Sequence, residues 1–316
     1  MIYNRNWRVL LFAFLLSGVL AFGLCGCGGG SGGSAADNVD RSGPPRDNTP
    51  KVLVPAADGK DVSNSSNASI DYSHSSEGYI MASYSGSVGK VKIKIDDPKG
   101  TSYIYLLTPG DGYEAFPLSG GNGTYKIMIL ENVSGDSYAI ILDKSIDVSL
   151  SDDFLPFLYP NQYVNFTPDS KAVAKGADLA KDTYSDLEVI ENIYTYVIDN
   201  ITYDDNKAAT VQYGYVPDVD ETLSSGKGIC FDYASLMCTM LRSQGIPARL
   251  DVGYSGEAYH AWISAYAKEV GWVSGIIEFD GKSWKLMDPT FGANNNASST
   301  EQYIGDGTNY TLKNSY

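Results

Sequence analysis

Two periodicities divide the chain. Over residues 79–142 apolar and polar positions alternate, most plainly where Lys90, Lys92 and Lys94 interleave with Val91, Ile93 and Ile95, the pattern of a strand with one wet and one packed face. Tyr79–Tyr84, Lys90–Ile95, Thr101–Leu107, Thr124–Leu130 and Ser137–Leu142 are predicted strands, separated by the turn clusters Asp96–Gly100 and Gly120–Gly123. Short strands at this spacing predict a small sandwich-like all-β domain over residues 51–150. It carries no catalytic grouping, which leaves spacing or binding as its role.

Further on the period lengthens. Leu187, Ile190, Tyr194, Val197 and Ile198 form a helical stripe behind Ser185-Asp-Leu-Glu188, a capping-box pattern, and Asn200–Asp204 closes that helix. A second helix runs from Cys230, with Ala234, Met237 and Leu241 at helical spacing and Phe231 and Met240 widening the stripe. Gly245 fits its C-terminal cap, with Arg242 in the last turn and Pro247 beyond; Gly226-Lys227-Gly228 reads as a flexible approach. Alternation then returns. His260–Tyr266 is a predicted strand with His260, Trp262 and Ser264 on one face, and Gly275–Phe279 and Ser283–Met287 flank the hairpin signal Asp280-Gly281. Trp284, Leu286 and Asp288 share a face, so a strand laid beside that of His260 brings Asp288 to the imidazole.

This arrangement has chemical content. Free N–H groups at a helix start favour negative charge, so a thiolate is expected at Cys230 and an oxyanion can be held beside it. The chain has two histidines, and the other, His74, lies in a Ser-rich stretch far upstream. His260 is therefore the candidate base and Asp288 the group that fixes its tautomer. Cys238, on the same helix, is expected to be a buried inert thiol. A Cys230–Cys238 disulfide is excluded, since eight helical residues span ~12 Å and bridged Cα atoms lie roughly 4.4–6.8 Å apart. A zinc site is not expected, because no C-x-x-C and no second nearby histidine exist.

Gly228-Ile-Cys-Phe-Asp-Tyr-Ala234, Gly245-Ile-Pro-Ala-Arg249, Gly253-Tyr254, His260-Ala-Trp262, Trp284 and Asp288-Pro-Thr290 together resemble the transglutaminase-like superfamily of papain-type cysteine enzymes, over roughly residues 185–292. The resemblance implies an α+β core in which the helix bearing the cysteine packs on an antiparallel sheet bearing the histidine and aspartate; it would occupy residues 160–316, after the β-sandwich-like domain. Cys230, His260 and Asp288 are all present at the matching positions. The segment around Cys230 departs from the Gln-Cys-Trp arrangement of animal transglutaminases, which turns the expectation toward the bacterial members, many of them peptidase-like. A second oxyanion donor upstream of the cysteine is sought among Gln212, Tyr213 and Tyr215, with Tyr213 first. The expected activity is attack on peptide or glutamine-type amides, without cofactor or metal, resolved by water or by an amine. A non-catalytic surface binding or adhesion module is the rival class.

The N-terminus sets the compartment. Arg5 and Arg8 precede the apolar run Val9–Leu24, which is short for a spanning helix, and Leu24-Cys25-Gly26-Cys27 resembles a bacterial lipobox. Residues 1–26 are thus expected to be a lipoprotein signal peptide, with Cys27 lipidated and residues 27–50, rich in Gly, Ser, Asp and Pro, a flexible tether. The expected location is the extracytoplasmic face of a bacterial cell membrane, with a protein or peptide substrate from the cell envelope. Net charge is −15, which disfavours nucleic acid as a partner. Removing the signal would leave Cys230 and Cys238 as the thiols, as suits an exported enzyme whose nucleophile must stay free.

Overall fold

The early strands build two antiparallel sheets, alternating between buried and half-buried positions in Val91–Asp96 and nearly continuously buried in Tyr79–Tyr84. The structure is a computed structural model that describes residues 41–255, 257–274, 277–279, 284–286 and 310–316. One sheet has the order β1 (Val62–Asn64), β2 (Ala68–Asp71), β3 (Tyr79–Tyr84) and β6 (Gly110–Pro117). The other runs β5 (Ser102–Leu107), β4 (Val91–Asp96), β7 (Gly123–Ser134) and β8 (Ser137–Val148). Ile70, Ile80 and Tyr84 of the first sheet and Ile93, Ile95, Tyr105, Ile127 and Ile129 of the second are fully buried in one continuous core. Each such isoleucine contributes about 1.5–3 kcal/mol over its exposed state.

The helices follow: α1 (Lys171–Leu179), α2 (Asp186–Asn200), α3 (Asp205–Thr210), α4 (Val219–Ser225) and α5 (Cys230–Ser243). Between them a two-residue parallel pair joins β9 (Thr202–Tyr203) to β10 (Lys227–Gly228). A third antiparallel sheet has the order β13 (Gly271–Ser274), β12 (Ala258–Ala267), β11 (Ala248–Ser255), β16 (Tyr310–Ser315), and β14 (Ile277–Phe279) pairs with β15 (Trp284–Leu286). The Asp280-Gly281 hairpin signal falls between these two strands, with Phe279 opposite Trp284.

α5 packs on α1, α2, α4, β11 and β12. Instead of presenting one apolar stripe, it is buried on all sides from Asp232 to Ser243, so its polar side chains need internal partners. Ser235 Oγ donates to Tyr163 O at 2.7 Å and Ser243 Oγ to Met240 O at 2.9 Å. Arg242 does not sit at a solvated helix end. It is fully buried, and its guanidinium donates to the carbonyls of Ala248 (2.9 and 2.8 Å), Tyr159 (2.7 Å) and Tyr316 (2.7 Å). Burial pulls its pKa down to about 10. The helix ends as expected at Gly245: its N–H bonds Arg242 O and that of Ile246 bonds Leu241 O, the paired bonds of a Schellman cap.

The expected tether reaches residue 50, and its described part is held in place. Arg46 Nε lies 2.8 Å from Asp186 Oδ1 and Arg46 N donates to Thr183 O at 2.6 Å. Arg41 pairs with Glu188, and Asn48 Nδ2 donates to Ala177 O at 2.8 Å. Cys27 and the expected signal peptide lie outside the described residues, as does Asp288. Among the described residues no helix is long and apolar enough to cross a membrane.

Candidate active site

Cys230 is the first residue of α5, and a set of polar contacts around its neighbour Asp232 fixes its place. Gly226-Lys227-Gly228 is no flexible approach: Thr202 N donates to Gly226 O at 2.8 Å and Asp204 N to Gly228 O at 2.9 Å. A side chain at Gly228 would put its Cβ 2.6 Å from Asp232 Cβ, so only glycine lets the approach pass this close. The Asp232 carboxylate, fully buried, accepts from Ile229 N at 2.8 Å, from Lys207 Nζ at 2.6 Å and from Tyr215 OH at 2.5 Å. It thereby satisfies one of the free donors at the helix start. The Asp232 and Tyr233 amides both bond Ile229 O. Among the described residues the Cys230 and Phe231 amides have no partner, and they stand at the end of the helix where negative charge is favoured.

Cys230 is a partly exposed free thiol. Cys238 is free and buried, and desolvation pushes its pKa up to about 12, as an inert thiol requires. His260 of β12 is buried opposite Gly253 of β11. Cys230 and His260 line one cavity of about 350 Å³, together with Ile104, Tyr163, Tyr213 and Tyr316. Tyr259, next to the histidine, has its phenol pushed up by burial first and then by the nearby Tyr254 and Cys230. The structure thus brings together two of the three sequence-derived residues. β12 is flanked by β11 and β13, so β15, which precedes Asp288, is not its sheet neighbour. β13 covers only Ser264–Ala267 of that edge.

The three candidate oxyanion donors all line this cavity but differ in their bonding. Tyr215 OH is engaged by Asp232, and burial followed by that bond raises its pKa. Gln212 is exposed, with Nε2 on Thr210 O at 2.8 Å. Tyr213 lines the cavity at its rim, 75% exposed, with Lys92 Nζ 5.7 Å from its ring centroid. Among the described residues no three His, Cys, Asp or Glu side chains are grouped to hold a metal ion.

Sequence reasoning missed most of the walls. Ile104 and Leu106 come from β5, Gln162 and Tyr163 from the segment before α1, and Tyr316 from beyond β16. Tyr316 also packs edge-on against Tyr103, Tyr105 and Tyr163 at 4.9–5.6 Å. The β-rich region therefore forms part of the cavity that holds the thiol. The Asp232 clamp did leave a signal, an acidic residue three positions into a helix.

Residues 172–275 match the family model of the transglutaminase-like superfamily. An uncharacterised Bacillus subtilis protein, YebA, is 24% identical over 68% of this chain and 33% of its own length. Another from Mycobacterium leprae, ML0607, is 34% identical over 31% of this chain and 36% of its own. The chain spans about a third of the length of these curated relatives. Among solved structures, a proposed cysteine protease from Cytophaga hutchinsonii is 16% identical, with a TM-score of 0.38 over 84% of this chain and 74% of that one. Red sea bream transglutaminase is 13% identical, with a TM-score of 0.26 over 67% of this chain and 48% of that one. Cys230 and His260 both fall inside the segment, residues 172–275, that matches the transglutaminase-like superfamily model.

Proposed function

We propose that this chain is a thiol enzyme acting on amide bonds of proteins or peptides, with Cys230 as nucleophile, His260 as general base and acid, and Asp288 as the group that orients the imidazole. The observation that carries this reading is the single cavity lined by a helix-start cysteine and a strand histidine. His260 takes the thiol proton and Sγ attacks the carbonyl carbon. The oxyanion that forms faces the unpartnered amides of Cys230 and Phe231, with Tyr213 the proposed side-chain donor. Collapse breaks the C–N bond, the amine leaves with the proton from His260, and a thioester stays on Cys230. Water then releases the acid. Asp288 lies outside the described residues, and its role rests on the sequence pattern that puts it just after the strand Trp284–Leu286.

Hydrolysis is favoured over amine transfer because Ile229-Cys230-Phe231 departs from the Gln-Cys-Trp arrangement. The enzyme works at the extracytoplasmic membrane surface, anchored through lipidated Cys27, on cell-envelope peptides. Mass spectrometry of the protein incubated with casein and with a small primary amine tests this. A backbone cut or a glutamine converted to glutamate, lost on Cys230→Ala, is expected; an amine mass gain identifies a transferase. No change in substrate, with Cys230 no more reactive to iodoacetamide than Cys238, refutes the reading.

A further inference from the structure

A second cavity, of about 680 Å³, shares Leu106, Gln162 and Gly214 with the cavity of Cys230 and His260. Both lie along β5, which pairs with β4 on one edge and has no strand on the other among the described residues. Asp97 N donates to Thr101 O, and with the β4–β5 register this directs the backbone groups of Tyr103, Tyr105 and Leu107 toward β4 and those of Ser102, Ile104 and Leu106 outward. Two of the outward carbonyls are occupied: Asn314 Nδ2 donates to Ser102 O at 3.2 Å and Gln162 Nε2 to Leu106 O at 2.5 Å. Between them the Ile104 N–H and C=O have no partner among the described residues, and the Ile104 side chain, 43% exposed, lines the first cavity.

Gln162 stands where the cavities meet, only 9% exposed. Its Nε2 donates to Leu106 O and, at 2.7 Å, to Glu114 Oε2. Two acceptors fix which end of the amide carries nitrogen, so Oε1 is the end left over. That oxygen is buried and unpartnered among the described residues. A buried acceptor without a donor is costly, and here it lies beside a strand edge whose own donor and acceptor are unused. The Glu114 carboxylate is already taken, by Thr108 N at 2.7 Å on Oε1 and by Gln162 on Oε2. The rest of the second cavity is largely apolar, with Leu53, Val54, Met81 and Val216 in its wall.

We propose that β5, open at Ile104 between the capped carbonyls of Ser102 and Leu106, is the docking edge for an extended polypeptide. It pairs antiparallel or parallel with Ile104, donates a backbone N–H to Gln162 Oε1, and runs from the thiol cavity into the second cavity, where it places an apolar side chain. The N–H and C=O of Ile104 and the Oε1 of Gln162 call for an acceptor and two donors spaced along one line, which a peptide backbone supplies. That the bound segment presents its amide to Cys230 rests on the proposed function; the docking does not.

The test uses the full chain carrying Cys230→Ala, so that nothing is cleaved, incubated with a pool of random N-acetylated, C-amidated octapeptides and a matching pool of dipeptides. Octapeptides with an apolar residue at one position should be retained and dipeptides should not. Fluorescence anisotropy with a retained octapeptide should then show roughly 5- to 10-fold weaker binding on adding Ile104→Pro or Gln162→Leu, the size of one net hydrogen bond. Proline at an outward edge position spares the β4 ladder. If either variant fails to fold, single N-methylations along the peptide give the same loss at the donors that pair. The proposal is overturned if no octapeptide is retained, or if binding withstands both variants and every N-methylation. It is equally overturned if Ile104→Pro abolishes a dimer of this chain while no peptide binds. Absence of amide chemistry in the wild type, with octapeptides still retained, would count against the proposed function and not against this edge.

Discussion

Asp232 offers a comparison of two nearly isosteric changes that separates hydrogen bonding from charge at the start of α5. Its carboxylate accepts three donors: Ile229 N and Lys207 Nζ on Oδ2, Tyr215 OH on Oδ1. In Asp232→Asn the amide oxygen can take the Oδ2 position and keep the first two, while the new NH₂ donates to the Tyr215 oxygen, whose hydroxyl hydrogen is free to rotate. The loss is then the charge facing Lys207, whose side chain is 29% exposed, about 1–2 kcal/mol. In Asp232→Leu all three donors lose this acceptor, while Lys207 Nζ keeps Tyr215 OH at 2.6 Å. The Ile229 amide is a cap donor worth about 1 kcal/mol, and the half-buried Tyr215 and Lys207 add about 2–4 kcal/mol between them, Lys207 partly recovering in water. The total is about 3–5 kcal/mol. At roughly 2–4 °C per kcal/mol for a large domain, Asn should lower Tm by roughly 2–8 °C and Leu by roughly 6–20 °C. Urea unfolding and the iodoacetamide rate at Cys230 complete the assay, since a frayed first turn should also alter thiol reactivity. Asn as damaging as Leu would mean that charge holds this helix start; a Leu variant as stable as wild type would refute the clamp altogether.

His260→Ala should remove nearly all turnover, Cys230→Ser likewise, and Asp288→Asn up to roughly 10⁴ of it; combined, the losses should overlap, not multiply, and near wild-type turnover in His260→Ala would place the chemistry elsewhere. His74 stacks on Tyr79 with Nδ1 2.8 Å from Glu77 and Nε2 3.2 Å from Asp58, and the Glu77 bond raises its pKa above 6.5. Its contribution to stability is therefore full below about pH 6.5 and lost as pH rises through the raised value. His74→Gln should flatten that part of the stability–pH curve; an unchanged slope would assign it to another group. Cells given labelled palmitate should label the wild type and not Cys27→Ala, and a label that persists in the variant would dismiss the lipid anchor.

Local pattern made some elements readable and hid others for identifiable reasons. The strand expected at Tyr79–Tyr84 is β3 to the residue, because its apolar run is bounded by turn residues. β6 escaped, since Gly110-Asp-Gly112 and the prolines at 109 and 117 read as turn chemistry, yet Phe116 pairs with Ile80 and is fully buried. α4 has its own sequence sign, Asp218 with Glu221 three residues on, and Asp218 caps it by accepting from Asp220 N and Glu221 N. At the site, Cys230 and His260 were legible because each lies in a short, chemically specific segment. Ile104, Gln162 and Tyr316 were not. Their place in the cavity follows from packing between segments far apart in sequence, and nothing in the neighbours of Ile104 marks it as lining a thiol site.

The seat of Tyr316 has a kinetic side. Its backbone bonds Leu250 in both directions, at 3.0 and 2.9 Å, its carbonyl takes Arg242 Nη2, and its ring closes one wall around Cys230. β11 and β16 lie far apart in sequence, so their pairing closes a long stretch of chain. In refolding from denaturant the early sheets can therefore form while the cavity still lacks this wall, and the surroundings of Cys230 are complete only once residues 310–316 have docked.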